Sequence, residues 1–218
     1  MKGLFRNNVY AVLSSIRIFF IVMLLLGTVV VILNNNIPVL VIGYMLLGMV
    51  GFSLLAIACL GKEESTKWHK YKLTAPVKRS EIVRSYFISL LPWLLLGIAF
   101  AGAAVTLSIL LHGFPFGRDT DVFTLFVVGV DISLITGAIF FPLFYLGGEE
   151  KREVVLTISL LCSIGIVFGL TALINSFLPD KITTLQVIMG GLVLLACAFI
   201  LYLLSYPITV FIFNQKEY

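Results

Sequence analysis

Six long apolar runs leave this chain very few folds to choose from. They cover about Ile16 to Leu33, Ile37 to Leu60, Ile82 or Tyr86 to Leu111, Val122 to Leu146, Val154 to Phe177 and Leu185 to Phe213. A helix needs roughly 20 apolar residues to cross a hydrocarbon core of about 30 Å. In lipid the backbone amides must bond within the segment or within a closed barrel, and continuous runs of this length select the helix. Composition agrees: the 218 residues are 60% hydrophobic and 12% charged, whereas soluble domains run near a quarter charged. The chain is therefore expected to be an all-α polytopic membrane protein. It forms one transmembrane domain over residues 1–218, with spans at about 16–33, 37–60, 82–111, 122–146, 154–177 and 185–213. Little length is left for a catalytic or nucleotide-binding domain, so such a domain must belong to another chain.

Basic residues set the orientation. One set of inter-span segments holds Lys2, Arg6, Arg17, seven residues from Lys62 to Arg84, Lys151, Arg152 and Lys216. The opposite set holds Arg118 and Lys181. Thirteen against two predicts both termini in the cytoplasm and a multi-pass protein of the cytoplasmic membrane. The net charge of +4 is then a topology signal and a contact with anionic lipid, not a sign of nucleic acid. The first run is long, lacks a small-residue cleavage site and is followed by Asn34, Asn35 and Asn36, which argues against a cleaved signal peptide. Residues 1–15 suit an interfacial helix, with Leu4, Phe5, Val9, Val12 and Leu13 near one stripe. A plain extension of the first span is the alternative.

Catalytic and metal motifs are missing. Cys59, Cys162 and Cys197 sit inside apolar runs with no CxxC pair and read as small buried hydrophobes. His69 and His112 fall on opposite sides of the membrane, so they share no metal. Glu149 and Glu150 resemble the paired glutamates of intramembrane proteases, but Val154 stands where that motif has arginine. Asp131 is the clear intramembrane charge, and a central Asp costs about 2.5 to 3.5 kcal/mol on translocon scales. It either lines a cargo cavity, meeting a cationic or polar cargo, or is a polar anchor bonded to a neighbouring helix. Pro92, Pro142 and Pro207 kink their spans, and each leaves a carbonyl for neighbours to satisfy. Gly165 with Gly169, and Ala99 with Ala103, give small-xxx-small pairs for close helix contact within the chain or between two copies.

The segment from Lys62 to Arg84 is longer than a turn requires. Trp68, Tyr71, Lys72 and Ala75 have i, i+3, i+4, i+7 spacing, which puts both aromatics on one face of a short helix. Pro76 should end that helix, and Ser80 followed by Glu81 should cap the next span. Two uses remain open on these grounds: docking to a soluble partner, or lying on the lipid surface.

This segment resembles the loop between spans two and three of ABC-2 type transporter permeases. Acidic residues come first, then an aromatic, then a Leu-Thr-x-Pro-Val-x-Arg-x-x-Ile-Val run leading into span three. Glu63, Glu64, Trp68, Tyr71, Leu73, Thr74, Pro76, Val77, Arg79, Ile82 and Val83 carry the match. The second cytoplasmic loop fits too, with Pro142 followed by Gly148, Glu150 and Lys151. About thirty residues carry the specific pattern, and the layout agrees over the whole chain.

The resemblance implies a permease that pairs with a second copy or paralogue and docks two separate ATP-binding subunits. The helix between spans two and three acts there as the coupling helix. That role is carried onto Trp68, Tyr71, Leu73, Thr74, Pro76 and Arg79, with Glu64 and Lys67 as flanking contacts. ATP and Mg are then bound by the partner, and this chain holds no cofactor and is no enzyme. Small six-span permeases of this kind resemble exporters of amphipathic peptides, including phenol-soluble modulin exporters. The competing expectations are an ion-coupled secondary transporter, for which one Asp and no visible repeat are poor material, and a non-transporting sensor subunit.

Overall fold

The computed structural model describes residues 2–33, 38–65, 78–113, 116, 119–148, 151–176 and 183–215. Among these, six helices follow one another: α1 Lys2–Leu33, α2 Pro38–Ser65, α3 Arg79–His112, α4 Asp119–Gly147, α5 Arg152–Ser176 and α6 Thr184–Gln215. Each is long and apolar enough to cross a membrane, so the chain is an all-helical, multi-pass membrane protein.

The helices overrun the apolar runs because polar residues at a span's ends keep helical geometry into the headgroup region. Span three shows this best. Its helix begins at Arg79, with Lys78 as an extended N-cap that makes no side-chain bond. Ser80, expected as the cap, is instead inside the helix. Glu81 does lie in the first turn, where a carboxylate meets the positive helix end. At the start of the chain, residues 2–15 continue into the first span as one unbroken helix, so the expected interfacial segment is an extension of α1.

Antiparallel packing follows from the short connections. Phe19 meets Phe52 edge-on at 4.9 Å between α1 and α2, and Tyr44 Oη donates to the Met23 carbonyl at 3.0 Å. α2 and α3 approach closely at Gly48 and Gly97, where a Cβ on Gly97 would stand 2.7 Å from the Gly48 carbonyl oxygen. Only glycine permits that approach. α4 is the central helix, in contact with α2, α5 and α6. Buried hydroxyls stitch it to its neighbours: Ser133 Oγ donates to Met49 O at 3.2 Å, and Thr136 shares a 2.8 Å bond with Ser163. Large side chains of α1, α5 and α6 point outward in number, Ile18, Phe168 and Phe211 among them, as lipid-facing residues should.

One end of the bundle gathers the start of α1, the start of α3 and the end of α6, and is called here the terminal end. Asn8 of α1 is bonded to Ser85 of α3, and Arg79 of α3 to the last turn of α6.

Candidate functional site

The terminal end holds a set of directional contacts between distant parts of the chain. Arg79, the first residue of α3, donates from its guanidinium to the carbonyls of Phe213 and Asn214, both at 3.3 Å. Its charge also lies 5.7 Å from the centre of the Phe213 ring, within cation–π range. Carbonyls in the last turn of a helix lack intrahelical donors and carry partial negative charge, so a cation is well placed there. One residue on, the Ser80 carbonyl accepts from Tyr206 Oη at 3.3 Å. On the other flank Asn8 Nδ2 donates to Ser85 Oγ at 3.0 Å, and both residues are buried. The first two turns of α3 are thus held to the first helix and the last helix together.

A proline explains the first of two further bonds from α6. Pro142 has no N–H to offer the carbonyl four residues earlier, that of Ala138. Ser205 Oγ donates to that carbonyl. In α3, Tyr202 Oη donates to Phe87 O at 2.8 Å, a carbonyl next to Ile88, whose intrahelical donor Pro92 removes. Tyr202, Ser205 and Tyr206 therefore clasp α3 and α4 from one face of α6. Sequence inspection passed over this trio and over Asn8. The signal was present: polar residues at three- and four-residue spacing inside hydrocarbon, just before Pro207.

The expected contact residues fall in three groups. Arg79 is described, and its guanidinium grips α6. Glu64 lies in the last turn of α2. Lys67, Trp68, Tyr71, Leu73, Thr74 and Pro76 lie outside the described residues. In the second loop, Gly148 ends α4 with φ +78°, the left-handed conformation that glycine adopts without strain. Its N–H donates to Phe144 O at 3.1 Å. Lys151 is exposed just before α5, and Glu150 lies outside the described residues.

Asp131 is 1% exposed, and neither of its carboxylate oxygens has a hydrogen-bond partner among the described residues. The hydroxyl anchor weighed from sequence is not formed in this structure. Asp131 shares a helical stripe with Val127, which packs near Gly191, and with Ala138, bonded to Ser205. That stripe faces α6.

An open groove lies elsewhere. A groove of about 540 Å³ runs between α1 and α3 toward the far end, reaching Ile32 and Leu111. Ala99 and Ala103 form part of its wall opposite Gly27 and Thr28, so within this chain the small-residue pair of α3 lines a groove. Its polar groups are already engaged, Thr28 with Leu25 O and Tyr44 with Met23 O. Asp131 borders neither this groove nor a smaller one between α3 and α6. Gly165 and Gly169 likewise face open space within 4 Å.

A family model described as ABC-2 family transporter protein matches residues 3–214. No curated protein matches the chain, and no solved structure does.

Proposed function

The chain belongs to the ABC-2 family of transporter proteins, and from that premise we propose that it is the membrane half of an ATP-driven exporter. Permeases of this family associate with ABC ATP-binding subunits, which supply hydrolysis. The segment between α2 and α3 is the coupling helix, with Trp68, Tyr71, Leu73, Thr74 and Pro76 meeting the ATP-binding subunit and Glu64, Lys67 and Arg79 at its edges. Gly148, Glu150 and Lys151 form a second contact on the same face. Both termini then lie in the cytoplasm, and two permease chains pair around the cargo path.

One observation carries this proposal. The residues immediately after the loop, Arg79, Ser80 and Ser85, are bonded to the first and last helices. A push on the loop therefore reaches α1, α3 and α6 at once, which a coupling element requires. The mainly apolar lining of the α1–α3 groove favours a hydrophobic or amphipathic cargo, such as a cationic amphipathic peptide. Asp131 meets such a cargo only when the seam between α4 and α6 opens, because it is buried on that face.

Co-purification with the ATP-binding subunit tests the proposal. The wild type is expected to retain it, and Trp68→Ala to lose it while the permease stays folded. Transport by this chain alone, in liposomes without ATP, would overturn the proposal.

A further inference from the structure

The smaller groove, of about 290 Å³, lies between α3 and α6 near the terminal end. Ile88 and Leu91 wall it on one side, Phe199 and Leu203 on the other. Ile88, Phe199 and Leu203 are 39%, 48% and 55% exposed, so the groove opens sideways, where lipid stands. Three polar side chains border it. Tyr202 and Tyr206 have given their hydroxyl protons to the carbonyls of Phe87 and Ser80. The third, Arg84, is exposed and has no ion pair or hydrogen bond among the described residues, even with Glu81 one turn earlier.

Depth fixes what can meet that guanidinium. Arg84 and Leu111 are separated by about 40 Å along α3 at 1.5 Å per residue, and a bilayer with its headgroups measures about 40–45 Å. With Leu111 at one edge, Arg84 stands at headgroup level on the other. We propose that this groove binds an anionic diacyl phospholipid, its phosphate on Arg84 and one acyl chain along Ile88, Leu91, Phe199 and Leu203. A guanidinium takes a phosphate through two parallel hydrogen bonds, and basic pockets between spans are sites for anionic headgroups. The alternative occupant, a helix of a second copy, does not fit. At about 10 Å across, a helix fills this volume in less than one turn.

The test is lipid retention by the full chain in nanodiscs of mixed phosphatidylglycerol and phosphatidylcholine, read by native mass spectrometry. The wild type is expected to keep phosphatidylglycerol over phosphatidylcholine by about fivefold, the worth of one cationic contact. Arg84→Gln should bring that ratio near unity. Leu91→Trp, which fills the groove and keeps the charge, should lower retention of the bound lipid. Lys78→Gln, at the same end but outside the groove, should change nothing. Retention by both Arg84→Gln and Leu91→Trp at the wild-type level overturns the proposal. So does an equal loss in Lys78→Gln, which would mean a diffuse surface charge. No ATP-binding partner enters the measurement, so its failure leaves the transport proposal standing.

Discussion

The two ends of the bundle are held together by different physics. At the terminal end, α1, α3 and α6 are joined by directional bonds through Asn8, Arg79, Tyr202 and Tyr206. At the far end, α1 and α3 diverge around an apolar groove, and the Phe20–Phe100 edge contact at 5.0 Å is typical of what joins them. Hydrogen bonds in a low-dielectric interior fix geometry, whereas apolar side chains slide past one another with little change in energy because lipid is as apolar as they are. A displacement applied at the terminal end should therefore travel as one piece, while the far end absorbs it by opening or closing. That division of labour is what the proposed role in ATP-driven export requires.

The strongest challenge to the comparison comes from the tight α2–α3 contact between the two ends, at Gly97. Its Cβ would meet the backbone of Gly48 and Met49 at 2.7 and 2.8 Å. Gly97→Val should cost about 3 kcal/mol or more by overpacking, seen as a lower thermal midpoint and poor yield. A normal midpoint would mean the two helices part easily.

Asp131 comes next, with the opposite sign. A buried carboxylate without partners is a cost, so Asp131→Leu should raise stability by about 1–3 kcal/mol. Its effect on transport then separates the two uses of the residue. Unchanged transport makes it a bystander, and lost transport ties it to the seam that must open.

Ser205→Ala should cost about 1–2 kcal/mol, since it strands the Ala138 carbonyl that Pro142 already deprived of its donor. In a Pro142→Ala background the same change should cost less, because the backbone N–H is restored. Denaturation midpoints of the four proteins in this cycle measure the coupling, and strict additivity would break the pairing.

Arg79→Gln should cost about 0.5–1 kcal/mol through the end of α6, yet reduce ATP-driven transport far more than its stability loss explains. The smallest effect is expected at the far end. Ala103→Leu fills part of the apolar groove and should move stability by no more than about 0.5 kcal/mol, with its consequence confined to cargo preference.

Much of the fold was written in hydropathy. Six runs gave six helices, because in lipid an apolar segment of that length has no other way to satisfy its backbone. The helix ends were less legible. Ser80 looked like a cap, but Arg79, which grips the Phe213 carbonyl, is already helical, so the helix starts two residues further out. The need for a donor near Pro142 was legible from chain chemistry. Its identity was not, because Ser205 lies 67 residues away and nothing local records which helix packs there. Asp131 shows the same limit. Its presence in the span was plain, while its burial on the α6 face depends on how α4 is rotated in the bundle. The loop pattern from Glu63 to Val83 pointed to the family, and Arg79 and Ser80 are where that pattern meets the fold.

The direct test of the division between the ends is a pair of distances measured by electron spin resonance in the full complex with its ATP-binding subunits. Labels at positions 78 and 215 report on the α3–α6 clasp, and labels at 32 and 110 on the α1–α3 groove, after Cys59, Cys162 and Cys197 are replaced. On trapping with ATP and Mg, the first distance is expected to hold and the second to shift. A clasp that opens while the groove stays fixed would contradict the account.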